Sequence, residues 1–228
     1  MLYLVGGYLR DQYLGFQSKD KDYAFDGDLA EMLDFIVSRG WIVLNIQATF
    51  KTARVKLPNN EVVDFAVCRE EVDYDGRSPK LVKATTIEGD LARRDFTVNA
   101  LAQPVDENLE FAGDVFDPFN GLEDIASKTL RFVGDPKERL WEDGLRWLRA
   151  LRLSLTKELR IEDNTHKALM ESTPETFRAV CTDRIREEIN RMLVCNEMEA
   201  IRMLYSVYPT IWTRPDLHME IQQRGRLK

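Results

Sequence analysis

The fold of this chain is decided near its start, by residues 5–25, VGGYLRDQYLGFQSKDKDYAF. Two glycines, Gly6 and Gly7, open a short helix that we predict to run to about Leu14. A strand is then predicted over Lys21–Phe25, where tyrosine, alanine and phenylalanine follow one another. A glycine turn, a helix and a strand in so short a stretch predict a domain that mixes helices with a sheet.

Two aspartates, Asp20 and Asp22, stand two residues apart at the start of this predicted strand. The strand period of two places both carboxylates on one face. That arrangement suits two divalent ions, one activating an attacking oxygen and one holding a triphosphate. Taken alone, an Asp-x-Asp pair is more often a solvated loop or strand edge, so the motif needs support from its surroundings.

That support comes from both sides of the pair. Upstream, Gly6 and Gly7 let backbone N–H groups approach a phosphate at the positive end of a helix, and Arg10 adds charge. Downstream, Asp64 is an ionisable residue inside a β-rich apolar run and is a candidate third carboxylate. The alternatives are an ordinary glycine turn and a solvent-facing Asp64 on an alternating strand.

Further elements follow the same alternation up to about residue 130. Asp28 is predicted to cap a helix that Gly40 ends, and Thr85 with Glu88 resembles a capping box for a helix toward Arg93. Residues 69–82 are polar, contain Gly76 and Pro79, and are predicted to form a loop. The remaining predictions are a helix over Leu29–Arg39, strands over Trp41–Ile46, Thr52–Leu57 and Glu61–Val67, a turn over 58–60, and a strand then turn over Phe111–Phe119.

After about residue 130 the pattern becomes almost wholly helical, so we predict two domains, 1–130 and 131–228. The first part carries 14 basic and 23 acidic side chains and the second 18 and 16, which favours nucleic-acid contact by the second. Helices are predicted over Lys137–Leu140, Asp143–Leu155, Thr165–Glu171, Pro174–Val180, Arg184–Val194 and Glu197–Tyr205.

The composition of the 228 residues is ordinary for a folded protein, with 44% hydrophobic and 31% charged residues. No apolar run approaches the ~20 residues of a membrane span, and the first residues lack the basic leader of a signal peptide. Three widely spaced cysteines suit a reducing, cytoplasmic compartment, and two histidines make a histidine-based metal site improbable.

Five motifs in a fixed order resemble the class II tRNA nucleotidyltransferases, a family that also contains bacterial poly(A) polymerases. The resemblance covers roughly residues 3–195 and implies an α+β fold, in which a polymerase-β-like nucleotidyltransferase head with a mixed or antiparallel sheet precedes an all-α neck and body. The motifs are Gly6-Gly7-x-x-Arg10-Asp11, Asp20-x-Asp22, Arg93-Arg94-Asp95-Phe96-Thr97-Val98-Asn99-Ala100, Asp117-Pro118-Phe119-x-Gly121-x-x-Asp124, and Glu142-Asp143-x-x-Arg146-x-x-Arg149-Ala150-x-Arg152.

The resemblance also implies a role for each motif. Asp20 and Asp22 become ligands of two Mg²⁺ ions, with Mn²⁺ as a possible substitute, and Asp64 the third catalytic carboxylate. The implied substrates are CTP and ATP, and the implied partner is the 3′ end of tRNA. Gly6, Gly7 and Arg10 would cradle the triphosphate, and Arg94, Asp95 and Asn99 would contact ribose and phosphate. From the residues alone, the last three fit a surface ion-pair network equally well.

Base selection is expected from Asp143 and Arg146, which we predict to share one face of a helix. An aspartate only accepts hydrogen bonds and an arginine only donates them. Cytosine and adenine present an amine beside a ring acceptor and match this pair, whereas guanine and uracil present the reverse order. The alternative is a routine i,i+3 ion pair. Glu142, Arg149 and Arg152 are expected to support the reading pair.

Departures from the family pattern define the open alternatives. Gly144 stands where the family usually has proline, so the helix is expected to start less rigidly and base selectivity to be looser. Asp64 stands where bacterial relatives more often have glutamate, so the carboxylate is kept but its reach is expected to be shorter. Relatives extend beyond residue 228, so we expect weaker tRNA binding or help from a homodimer. The rival functions are poly(A), CC-only or A-only addition, an inactive RNA-binding module, and a small-molecule nucleotidyltransferase.

Overall fold

The computed structural model describes residues 1–74, 79–177 and 179–207. Contacts divide the chain into two compact units: residues 1–73 with 80–127, and residues 74–79 with 128–228. The strands are β1 (Leu2–Val5), β2 (Asp22–Phe25), β3 (Ile42–Gln47), β4 (Thr52–Lys56), β5 (Val62–Val67), β6 (Arg69–Tyr74), β7 (Pro79–Ala84), β8 (Ala102–Val105), β9 (Thr129–Leu130) and β10 (Arg160–Ile161). The helices are α1 (Gly7–Leu14), α2 (Leu29–Ser38), α3 (Ile87–Ala92), α4 (Gly121–Ala126), α5 (Pro136–Glu142), α6 (Leu145–Lys157), α7 (Asp163–Met170), α8 (Thr182–Cys195) and α9 (Glu197–Val207).

A mixed sheet organises the first unit, in the order β3-β4-β5-β2-β1-β8. The β2–β5 pair is parallel and the other neighbours are antiparallel. One face carries the core, because alternate residues such as Tyr23 and Phe65 are buried and their rings stack at 5.1 Å. Met32 and Ile36 of α2 are fully buried as well. The opposite face of β2 and β5 is therefore the one that can carry polar side chains.

Local signals located several elements well. The Gly6–Gly7 turn opens α1, which ends at Leu14 as predicted. Asp28 caps α2 through a full capping box with Glu31, a tighter arrangement than the single cap we predicted. The predicted strands over 41–67 are confirmed with their ends shifted by one residue. The predicted α+β class with a mixed sheet is likewise confirmed.

Four local predictions were wrong. The predicted loop over residues 69–82 contains β6 and β7, which pair with each other; residues 75–78 lie outside the described ranges. Thr86, rather than Thr85, caps α3. Residues 111–119 contribute two isolated bridges, Val105↔Phe111 and Ala102↔Phe116, instead of a strand. The helix predicted to begin at Pro174 is a 3₁₀ turn, Pro174–Phe177.

The second unit is built around α6. Trp147 of α6 is fully buried, donates its indole N–H to the Leu169 carbonyl at 3.0 Å, and meets Phe177 edge-on at 6.0 Å. The unit is not purely helical, since β10 pairs with β9 in parallel. Residues 208–228 of the predicted second domain lie outside the described ranges. Across the described part of the chain, none of the helices combines the length and apolar character that a bilayer crossing requires.

Candidate functional site

Two parallel strands, β2 and β5, bring two aspartates side by side. Asp22 begins β2 and lies directly opposite Asp64 of β5, so their Cα atoms are neighbours across strands about 4.8 Å apart. The Asp64 N–H donates to the Lys21 carbonyl at 3.3 Å, which extends the pairing one residue before Asp22. Both aspartates are exposed. Asp20 precedes β2, so the strand period alone does not place its side chain on the face of Asp22, and the prediction that both share one face stays a prediction.

Electrostatics nevertheless link all three carboxylates. Asp22 keeps access to water, yet the protein atoms around its carboxyl group remove enough solvent to raise its pKa. The nearby Arg94 lowers that pKa, whereas the negative charges of Asp64 and Asp20 raise it further. The net direction is upward, so the ionised form of Asp22 is disfavoured until a cation offsets the repulsion.

A divalent cation fits the chemistry of these carboxylates. Among the residues that the structure describes, no three His, Cys, Asp or Glu side chains already converge as a finished metal site. Adjacent, exposed and mutually repelling carboxylates are nonetheless the oxygen ligands that Mg²⁺ prefers, with water completing the shell. Asp64 also lies across from Arg54, whose Nε is 3.8 Å from its Oδ1 in an exposed ion pair. Such a pair is weak enough to be displaced by a metal.

The glycine turn is shaped by a close approach. Gly6 has φ +76°, and a Cβ on it would lie 2.8 Å from Nη1 of Arg94. Arg94 donates from Nη2 to Asp90 at 2.9 Å and from Nη1 to the Asn99 carbonyl at 3.3 Å. Its buried Nε has no hydrogen-bond partner among the described residues. A cation with an unused donor beside a glycine turn and the start of α1 fits a bound phosphate.

Arg10, Asp95 and Asn99, which sequence reasoning assigned to triphosphate and ribose, lie together but inside the protein. Arg10 donates to Asp11 Oδ1 at 2.8 Å and to Asn99 Oδ1 at 2.5 Å, and Asn99 donates to Asp95 Oδ1 at 2.9 Å. All four side chains belong to buried residues. In this structure the network joins α1 to the Arg93–Ala100 motif and so fixes where Arg94 and Gly6 meet.

Sequence reasoning missed Asp90, which is 1% exposed. Its Oδ1 accepts from Arg93 Nη2 at 2.7 Å and from the Arg69 N–H at 3.2 Å, while its Oδ2 accepts from Arg94. Burial alone would raise the pKa of Asp90, but Arg94 and Arg93 outweigh burial and lower it. The signal was available, because an acid three and four residues before two arginines predicts helical ion pairs.

The motif Asp117–Asp124 has a structural role. Asp117 accepts from the backbone N–H groups of Gly121 and Leu122 at 2.7 and 2.9 Å, which holds the start of α4. Asp124 accepts from Thr97 Oγ1 at 2.6 Å. A Cβ on Gly121 would lie 2.3 Å from the Thr97 carbonyl oxygen, so only glycine lets α4 approach the Arg93–Ala100 motif this closely.

Residues 142–146 form a joint between two helices. Asp143 ends α5 with an extended backbone, so the prediction that it shares a helix face with Arg146 was wrong. Its Oδ1 accepts from the Leu145 N–H at 3.0 Å and its Oδ2 from Arg184 Nη2 at 2.8 Å. Arg146 pairs with Glu142 and donates to the Arg139 carbonyl at 3.1 Å. Each member of the expected reading pair therefore has its own partner.

Gly144, Arg149 and Arg152 contribute to the packing of this joint. A Cβ on Gly144 would lie 1.7 Å from the Thr176 carbonyl oxygen, so the glycine permits a close backbone approach. Arg152 donates to the buried Glu188 at 2.5 Å and ties α6 to α8. Arg149 is half-buried and also has a partner. The supporting residues thus act through packing and ion pairs within the second unit.

Known proteins resemble this chain in sequence and in fold. A family model described as "Poly A polymerase head domain" matches residues 2–131. The CCA-adding enzyme of Leuconostoc mesenteroides is 34% identical over 200 residues, which cover 84% of this chain and 45% of that protein. This chain spans about half the length of the curated relatives it matches.

Solved structures extend the similarity to both units. The Bacillus stearothermophilus CCA-adding enzyme in complex with CTP matches with a TM-score of 0.75 and 26% identity, over 89% of this chain and 47% of that one. The Thermotoga maritima CCA-adding enzyme complexed with tRNA matches with a TM-score of 0.71 and 27% identity, over 90% and 46%. Because the family model covers more than half of the sequence and agrees with the ordered motifs, the chain belongs to the poly(A) polymerase head domain family, together with the CCA-adding enzymes.

Proposed function

We propose that this protein is a template-independent nucleotidyltransferase that transfers CMP and AMP from CTP and ATP to the 3′ end of tRNA. One observation carries the proposal: Asp22 and Asp64 stand in register on the parallel strands β2 and β5, with Arg94 near enough to Asp22 to change its pKa. A triphosphate held at Arg94 and the Gly6 turn would present its reacting phosphorus to these carboxylates.

Asp20 and Asp22 would hold the metal ions, and Asp64 would be the third carboxylate of the site. Two bound Mg²⁺ ions would lower the pKa of the tRNA 3′ hydroxyl and stabilise charge on the α-phosphate and the leaving pyrophosphate. Partial desolvation, together with the negative charges of Asp64 and Asp20, raises the pKa of Asp22, so a bound cation would stabilise its ionised form. The chain's own contribution is therefore a negative cluster at one fixed place.

The opposite charge is supplied by the glycine turn and Arg94. Gly6 brings backbone close to Arg94, and the buried Nε of Arg94 offers an unused donor. The network of Arg10, Asp95 and Asn99 holds this turn rigid, so little ordering is needed when a nucleotide binds. Phosphate oxygens would complete the hydrogen bonding of Arg94.

Selection of the base would fall to Asp143 and Arg146. An accepting carboxylate beside a donating guanidinium matches cytosine and adenine, and a mismatched base would leave each charged group unpaired at a cost of about 1–3 kcal/mol. Glu142 holds Arg146 in place. Residues 1–130 would then carry out the transfer, and residues 131–228 would select the base and contact RNA.

The proposal includes the setting in which the protein works. The three cysteines are free, which is compatible with a reducing compartment, and we expect a cytoplasmic location where tRNA is matured. Mn²⁺ is expected to substitute for Mg²⁺, and a homodimer would enlarge the surface available to tRNA.

The test is incorporation of labelled CTP and ATP into tRNA transcripts that end at the discriminator base, at C, or at CC. Addition of C, C and A in order supports the proposal. Long A tails on any RNA would instead indicate a poly(A) polymerase, and addition of only CC or only A a half-specialist. No incorporation from any triphosphate, by protein that still binds tRNA, would indicate an inactive RNA-binding module.

A further inference from the structure

The carboxylate of Asp143 is oriented by two contacts. One is local, from the Leu145 N–H to Oδ1 at 3.0 Å. The other comes from a different element, because Arg184 in the first turn of α8 donates from Nη2 to Oδ2 at 2.8 Å. The two side chains are 17% and 38% exposed, so the pair lies at the edge of solvent rather than in the core. Arg184 is thus the cation that sets the direction of Asp143.

Without such a partner, Asp143 has an obvious competitor nearby. Arg146 lies three residues later, and its backbone N–H already donates to the Asp143 carbonyl at 3.0 Å. The two residues are therefore close along the chain, and their side chains carry opposite charges that attract each other. If the two side chains paired with each other, the acceptor and the donor meant for a base would satisfy one another instead. In the structure, Asp143 instead pairs with Arg184, and Arg146 pairs with Glu142.

The backbone of the joint is restricted, so the side-chain rotamer of Asp143 is the part of the joint that can still change. Gly144 lies so close to the Thr176 carbonyl that a Cβ would meet it at 1.7 Å, which restricts movement of the joint itself. Asp143 has φ −147° and ψ 104°, outside either helix, so no neighbouring turn of helix confines its side chain. A contact from α8 is what confines it.

We propose that Arg184 is a positioning residue for nucleotide selection. It holds the Asp143 carboxylate away from Arg146, so that Asp143 can accept from the exocyclic amine of cytosine or adenine. The contact leaves room for this, because a carboxylate oxygen accepts more than one hydrogen bond. The inference rests on the proposed function and extends it to a residue of α8 outside the reading pair.

The experiment compares Arg184→Ala, Arg184→Lys and a matched control, Arg191→Ala. Arg191 lies on the same helix and pairs with Glu187 at 2.5 Å in an exposed ion pair. For each protein, kcat/KM is measured for CTP, ATP, UTP and GTP on tRNA lacking its CCA end. Arg184→Ala is expected to lower the CTP-to-UTP ratio about tenfold, and Arg184→Lys to restore part of it, since lysine keeps the charge without the planar fork. Arg191→Ala is expected to keep the wild-type ratio.

Two outcomes would overturn the role of Arg184. One is a CTP-to-UTP ratio unchanged in Arg184→Ala or, should that variant unfold, in Arg184→Lys. The other is an equal loss for all four nucleotides, which is the result of a merely structural contact. If the wild-type protein incorporates nothing, the proposed function fails separately. Calorimetric binding of CTP and UTP to the wild type and to the Arg184 variants then tests Arg184 without turnover, with the same expected change in the affinity ratio.

Discussion

The pKa values of two aspartates of the first unit, Asp22 and Asp90, are shifted in opposite directions. Burial is the largest influence on both and would raise both pKa values. Asp90 lies between Arg93 and Arg94, and its pKa is lowered. Asp22 has Asp64 and Asp20 as neighbours, and its pKa is raised despite Arg94. The charge of the partners, and not the depth of burial, decides the direction.

The difference indicates that Asp90 stabilises the fold, whereas Asp22 is available to bind a ligand. Asp90 already has its cations, so its charge stabilises the fold around Arg93 and Arg94. Asp22 has anionic neighbours, so its charge is favourable only when a cation arrives from solution. Titratable groups whose surroundings push their pKa values apart commonly mark different roles within one site.

The largest effect is expected from removing the carboxylate of Asp22. Asp22→Ala should lower nucleotide incorporation by roughly 10³-fold, because a metal ion supplies several kcal/mol of transition-state stabilisation. Incorporation of labelled CMP is the measurement, with circular dichroism to confirm folding. Asp34→Ala, an exposed aspartate of α2, is the control and should retain activity. A folded Asp22→Ala protein with wild-type turnover would end the assignment of the metal site.

Removing the charge of Asp90 should mainly lower the free energy of unfolding. Asp90→Asn leaves Arg93 and Arg94 without their buried counter-charge, so we expect a loss of about 3–5 kcal/mol in the free energy of unfolding. Because the folded-state pKa of Asp90 is lowered, its stabilisation is present above the unfolded-state pKa and is lost as pH falls through the folded-state pKa.

Urea unfolding at several pH values checks this prediction. The gap between the wild type and Asp90→Asn should be full at pH 7 and should shrink in acid. Glu88→Gln, an exposed acid of the same helix, is the control and should change little. A gap that grows in acid would contradict the ion-pair explanation.

An intermediate effect is expected at Gly6, where backbone strain and a close approach act together. Gly6 has φ +76° and ψ −136°, a conformation that favours glycine, whereas Gly15 has the left-handed φ +79° and ψ 15°, and only at Gly6 would a Cβ meet Arg94. Gly15→Ala should therefore cost only the strain of a left-handed residue, about 1–2 kcal/mol. Gly6→Ala should cost more and also raise the KM for CTP, because it displaces Arg94. Equal stability and equal KM in the two variants would remove Arg94 from the phosphate site.

The smallest effect concerns Asp22 without metal. Its pKa is raised in the folded state, so its contribution to stability is present below the unfolded-state pKa and is lost as pH rises through the folded-state pKa. Asp22→Asn should therefore raise the melting temperature of the protein in EDTA at pH 7, by no more than a few degrees. Magnesium should reverse the order by stabilising only the wild type. A lower melting temperature for Asp22→Asn in EDTA would contradict the repulsion.

Local sequence was a good guide wherever the chain needed only its neighbours. The glycine turn and α1, the capped helix α2 and most helices after residue 130 follow from caps, breakers and apolar periods that span a few residues. The ordered motifs also pointed to the family before any contact was known. The candidate carboxylates Asp20, Asp22 and Asp64 were likewise named from residue type and position alone.

Only the tertiary structure decided which of these residues meet. The parallel register that places Asp64 beside Asp22 joins strands separated by a helix and two further strands, and no local period encodes such a pairing. In the same way, Arg184 reaches Asp143 from another helix, and the Arg69 N–H of β6 reaches Asp90 from a separate element. Local conformation is set by short-range sterics and hydrogen bonds, whereas partners and pKa directions depend on long-range packing, which is settled only when the whole chain has folded.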